Sequence, residues 1–212
     1  MHALIDTHAH LEEIPDLEQV VADAKTAGLT AIIAMTDMAS HARTLEIAGK
    51  YPDLVYPAFG WHPWDIKEAE IDANLAFIRS NIARAVAVGE VGLDYHKRVR
   101  AKADKDLQKR VLSELLKIAK EHDKPACIHS RYAWRDAFDL VKEARLTKAI
   151  FHWYTGTSGV LRDILDSGYY LSVTPAVEYH EEHRRAVKEI PLSQLLLETD
   201  SPVVYARGRA GE

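Results

Sequence analysis

The 212-residue sequence has a single cysteine, Cys127, so it can form neither an internal disulfide nor a cysteine-based zinc site. A reducing, cytoplasmic setting is the expectation that follows. It has no uninterrupted apolar run of ~18 residues, which argues against a membrane-spanning helix. It also lacks a basic, apolar leader: the chain reaches Asp6 after only three apolar residues from Ala3, so no signal peptide is read there. Positive charge is in deficit, with 27 Lys and Arg against 32 Asp and Glu, a net charge of −5. That argues against a protein that coats nucleic acid, though not against an enzyme that grips one strand end. No Gly/Ser linker, low-complexity tract or composition break divides the chain, so one globular domain over residues 1–212 is expected.

What is present is alternation. Short runs rich in Val, Ile and Ala begin near Leu4, Ala31, Val55, Val86, Ala126, Ala149, Tyr170 and Leu195, separated by segments of helical period. Between Leu107 and Ala119 the apolar residues Val111, Leu112, Leu115, Leu116 and Ile118 form one stripe, with lysines and Arg110 elsewhere. Gly28 and Gly168 fall where helices should end, and Pro125 opens the fifth strand. Eight strand-helix repeats predict an α/β chain folded as a (β/α)8 TIM barrel with its chemistry at the C-terminal strand ends. Only twelve residues follow Asp200, too few for a full outer helix of ~15 residues. The eighth outer helix is therefore expected to be missing, leaving a groove for self-association or for another chain.

Polar residues collect where the strands should end. His8 and His10 in Asp6-Thr7-His8-Ala9-His10 lie two apart, so along a strand they face the same way and can converge on one metal. Glu90 follows Ala85–Gly89, His129 follows Ala126–Ile128, His152 follows Ile150-Phe151, and Asp200 follows Leu195–Thr199. In a barrel these ends meet at one mouth, and four histidines with two carboxylates crowded there call for a cation.

These motifs, with Gly60-Trp61-His62-Pro63-Trp64, Gly89-Glu90-Val91-Gly92-Leu93-Asp94-Tyr95, Ile128-His129-Ser130-Arg131 and Leu197-Glu198-Thr199-Asp200-Ser201-Pro202, resemble the TatD family of metal-dependent hydrolases within the amidohydrolase superfamily. They run in the family's order from residue 6 to 202. The resemblance implies two divalent ions, Zn, Mn or Mg. His8, His10, Glu90 and Asp200 hold one, and Glu90, His129 and His152 the other, with Asp200 as general base. It also implies substrate contacts from His62 and Arg131 and a DNA or other phosphodiester substrate cut by a deoxyribonuclease.

Two further expectations come from position. Glu198, two residues before Asp200, should orient a ligand histidine, and Trp61 and Trp64 offer surfaces for base stacking. The run Lys97, Arg98, Arg100, Lys102, Lys105, Lys109 and Arg110, with Arg131, Arg135, Arg207 and Arg209, should form a basic rim. Three features are set aside. His180-Glu181-Glu182-His183 lacks the zincin spacing and reads as an exposed helix start. Cys127 reads as buried packing, and the glycines around Gly156 lack the lysine of a nucleotide loop. Two other readings stay open: an amide or ester hydrolase such as an aminoacyl-tRNA deacylase, since an activated water attacks carbonyl and phosphorus alike, and a shortened, non-catalytic homologue that binds a partner.

Overall fold

The computed structural model describes residues 4–205. Eight strands pair in chain order, each parallel to the next: β1 Leu4–Ala9, β2 Leu29–Thr36, β3 Val55–Trp61, β4 Ala87–Asp94, β5 Ala126–Arg131, β6 Ala149–Phe151, β7 Tyr170–Val173 and β8 Leu195–Leu197. The sheet closes on itself as the Asp200 amide donates to the His8 carbonyl (2.9 Å), the His10 amide to that of Ser201 (2.7 Å), and the Thr7 hydroxyl to that of Leu197 (3.0 Å). This is the expected (β/α)8 barrel. Only β2 and β4 start away from the anticipated residues, by two positions and one.

The helices α1 Leu17–Thr26, α2 His41–Lys50, α3 Ile71–Asn81, α4 Lys97–Arg100, α5 Lys105–Glu121, α6 Trp134–Glu143, α7 Ser158–Asp166 and α8 Glu181–Glu189 fill the seven crossovers. The longest, α5, shows why these segments are helical. Asp104 caps it by accepting from the Leu107 amide (2.9 Å), and its apolar stripe is buried, with Leu115 and Leu116 wholly so. Gly28 and Gly168 have φ of 89° and 77° at the ends of α1 and α7, as their positions required. Among the described residues no helix follows β8, and Ile5 and Leu197 on the outer face of that seam are about half exposed. Nor is any described helix long and apolar enough to cross a membrane. Arg207 and Arg209 lie outside the described residues.

One helix departs from expectation. His183 of α8 is fully buried, not exposed: its Nδ1 donates to the Tyr154 carbonyl (2.9 Å) and its Nε2 accepts from the Thr174 amide (3.2 Å). Burial pushes its pKa down, so the ring is neutral and pins α8 to the barrel.

Strand β4 breaks its own alternation. Ala87 packs inside the barrel with Met35, Ala58 and Cys127, whereas Val88, Val91 and Leu93 pack outward with Leu112 and Leu115 of α5. Two outward residues three apart require one irregular step, and the pairings with β3 and β5 both shift between Val88 and Val91. The step transfers Glu90, Gly92 and Asp94 to the interior. Gly92 then lies so close to β5 that a Cβ there collides with the His129 carbonyl. We expect Gly92→Ala to cost about 1–3 kcal/mol, lowering Tm by roughly 3–10 °C. A calorimetric Tm equal to that of the unmodified protein contradicts this close approach.

Candidate active site

Four strand ends and the turn after β8 deliver six side chains to one point. His8 is fully buried, and Glu90, His152 and Asp200 nearly so. His8 Nε2 lies 3.2 Å from His10 Nε2, 3.2 Å from Glu90 Oε2 and 3.4 Å from Asp200 Oδ1. His10 Nε2 lies 3.5 Å from the same Glu90 oxygen and 3.6 Å from the same Asp200 oxygen. Donors ~2.1 Å from a common centre in tetrahedral array stand ~3.4 Å apart. The observed separations match that array. The other Glu90 oxygen, Oε1, is 2.8 Å from His129 Nδ1 and 2.9 Å from His152 Nε2, which are 3.4 Å from each other. His62 Nε2 stands 3.5 Å from Oε1.

The far nitrogens of the rings identify which lone pairs point inward. His152 Nδ1 faces Glu198 at 3.6 Å, His129 Nε2 faces Asp94 at 3.5 Å and His8 Nδ1 faces the Cys127 sulfur at 3.3 Å. An acceptor behind a ring fixes the proton on that side and leaves the near nitrogen free to bind a cation. The first two contacts are long, and both nitrogens lack a full hydrogen bond. A carboxylate behind the far nitrogen is the usual partner of a histidine that ligates a cation. The donor set therefore fits a divalent cation.

Electrostatics agree. Burial opposes the charge on Glu90, yet the surrounding His62, His152 and His8 outweigh it and hold the carboxyl well below its usual range. Burial raises Asp200 above the ordinary value, Glu90 adds to this, and His8 and His152 offset only part. His62 is pushed down by burial and stays neutral. Burial would also lower His10, but hydrogen bonding to Glu90 and the charges of Glu90 and Asp200 raise it to about 9. Cation uptake at pH 7 is therefore expected to release at least one proton per chain, because His10 is protonated below about 9 and must give up its proton to bind. Titration calorimetry in buffers of different ionisation enthalpy measures this. A binding enthalpy independent of buffer is the contrary result.

All six residues expected as metal ligands thus come together, with Glu198 behind His152 as anticipated. The Glu198 carboxylate also accepts from the Trp153 amide (2.9 Å). Cys127 is buried, and burial with nearby carboxylates pushes its thiol well up, so it remains protonated. Two residues escaped the sequence reading. Asp6 ties the first strand to the turn that carries Asp200, accepting from the Thr199 amide (3.0 Å) and hydroxyl (2.6 Å). Asp94 is wholly buried, and its Oδ2 takes the Trp64 indole (2.5 Å) and the Nε and Nη2 of Arg131 (both 2.9 Å) while facing His129. Burial opposes its charge, but His129, Arg131 and Trp64 lower its carboxyl strongly. Its spacing of four from Glu90, which puts both on one face of the strand, was the available signal.

The site opens into a cavity of about 1620 Å³ lined in part by His62, Trp64, Arg131 and Arg135. Trp61, in contrast, is buried in the core and offers no stacking face. The expected basic rim is also corrected. None of Lys97 to Arg110 lines the cavity; Lys109 pairs with Asp136 (2.6 Å) and Arg110 with Glu68 (2.8 Å) on the outer helices.

Comparison with known proteins places this geometry. Residues 5–212 match the family described as TatD related DNase. The chain is 37% identical to the uncharacterized metal-dependent hydrolase YabD of Bacillus subtilis, covering 99% of this chain and 85% of that protein. It is 29% identical to the deoxyribonuclease TATDN3 of Homo sapiens, covering 95% and 78%. The crystal structure of YJJV, a TatD homologue from Escherichia coli, superposes with a TM-score of 0.81 at 30% identity over 94% of this chain and 79% of that one. A family match that runs from residue 5 to the last residue, on a barrel that superposes on a TatD homologue, leaves one assignment: the chain belongs to the TatD family of metal-dependent hydrolases.

Proposed function

We propose that this chain is a deoxyribonuclease that hydrolyses phosphodiester bonds with two divalent cations, Zn, Mn or Mg, in a cytoplasmic setting. His8, His10, Glu90 and Asp200 would hold one, and Glu90, His129 and His152 the other. The observation that carries the reading is the split of Glu90, whose Oε2 faces His8 and His10 while its Oε1 faces His129 and His152. When bound, such a pair of ions makes water acidic and neutralises charge on the attacked phosphate.

The protein supplies the rest. Asp200, whose carboxylate lies beside His8 and His10 at the cavity floor, is placed to take the proton of the attacking water. Neutral His62 lies against Glu90 and the cavity, where it contacts the substrate. Arg131 faces the same cavity with its Nη1 outside the pair with Asp94, free for a phosphate oxygen. Glu198, Asp94 and Cys127 keep His152, His129 and His8 in the required tautomers. The cavity exceeds the ~300–1,000 Å³ of small-molecule pockets, which favours a polymer over a small amide, and likeness to a human deoxyribonuclease supports the same choice.

The test is a substrate panel. Protein loaded with Mn²⁺, Mg²⁺ or Zn²⁺ is expected to shorten end-labelled single-stranded DNA, to stop on chelation and to recover on readdition. Loaded protein that leaves every phosphodiester intact while cleaving an ester or amide overturns the proposal in favour of carbonyl chemistry.

A further inference from the structure

The six ligands account for the floor of the cavity, not for its outer wall. That wall changes sign around the mouth. Glu12, Glu13 and Asp37 face it beyond β1 and β2, whereas Arg131, Arg135 and Arg185 face it beyond β5 and on α8, with Glu182 as the acid on that side. A polyanion is steered to the arginine half.

Between two of those arginines stands Tyr132, 74% exposed and part of the cavity wall. Its φ of 59° is a left-handed conformation that bulky residues rarely adopt. Of the other aromatics at the mouth, Tyr179 is only partly exposed and the three tryptophans are engaged. Trp64 donates to Asp94 and lies 5.3 Å beneath the Arg131 guanidinium, Trp134 packs on Tyr154, and Trp153 packs on Tyr205. Among the described residues Tyr132 stacks on no aromatic ring. An open π face next to cationic side chains is the arrangement by which single-stranded nucleic acids are held, one base on the ring and the backbone beside the charge.

We propose that Tyr132 is a specificity-determining residue, its ring the platform for a nucleobase of a single-stranded substrate whose backbone follows Arg131, Arg135 and Arg185. The inference rests on the phosphodiester reading and names the substrate form. Arg135 and Arg185 are already fixed by Asp163 and the Gly156 carbonyl, so they form a rigid edge. Affinity that depends on bases then falls to Tyr132.

The experiment compares labelled single-stranded oligonucleotides with bases against strands of equal length made of abasic tetrahydrofuran units, by fluorescence anisotropy with Ca²⁺ as the added cation. Tyr132→Ala is expected to weaken the base-bearing strand by about tenfold or more, with Tyr132→Phe close to the unmodified protein and the abasic strand bound equally by all. Tyr132→Asn, a ring-free residue suited to the left-handed backbone, should repeat the loss and guards against a folding defect in the alanine variant. Unchanged affinity for the base-bearing strand, or equal loss for the abasic one, overturns the role of Tyr132 alone. Failure of the unmodified protein to bind any strand overturns the phosphodiester reading, and Tyr132's role with it.

Discussion

Glu90→Gln is expected to lower turnover of single-stranded DNA by about three orders of magnitude, equivalent to about 4 kcal/mol of transition-state stabilisation. The substitution keeps the shape of the side chain but removes the charge that two histidine pairs share. His8 and His10 retain only Asp200 as an anionic partner, and His129 and His152 retain none within the cluster. Bound cation, measured by elemental analysis after dialysis, should fall to one per chain or fewer. The fold should persist, since the core around α5 and β4 does not touch this carboxylate. Two tightly held ions with undiminished turnover in Glu90→Gln contradict the sharing of this carboxylate between the two histidine pairs.

Asp200→Asn is the second large effect, with a different signature. An amide cannot accept the proton of the attacking water, so turnover should drop by about 10²- to 10⁴-fold. The cluster on Glu90 Oε1 is untouched, so at least one cation remains. The pH dependence separates base from ligand. If Asp200 is the base, any acidic limb in the activity of the unmodified protein that reports its protonation should vanish in Asp200→Asn. A variant that keeps the limb while losing rate shows Asp200 to be a ligand only.

Much of this architecture is legible in the linear sequence because barrel geometry is repetitive. Apolar runs mark the strands, and the polar residue that ends each run falls on the C-terminal rim, as with His129, His152 and Asp200. Legibility fails where a single step breaks the repeat. Strict alternation counted from Ala87 sends Val91 and Leu93 inward with Gly89 and turns Glu90 and Asp94 outward, so the inward placing of these two carboxylates could not be derived from the strand's apolar residues alone. The charge run from Lys97 to Arg110 fails differently. Helical turns carry those side chains over the outer surface to Asp136 and Glu68, and proximity in sequence to Glu90 says nothing of distance from the mouth. His183 was misjudged because its helix starts at the surface, whereas its ring plugs a polar gap between the Thr174 amide and the Tyr154 carbonyl.

The carboxylate of Asp94 grips the β3 loop through Trp64, the end of β5 through Arg131, and the back of His129. Groups that answer to one shared anchor cannot be loaded independently. If Arg131 is the strand's handle and His129 an ion's, thermodynamic reciprocity requires each ligand to alter the other's affinity by the same factor.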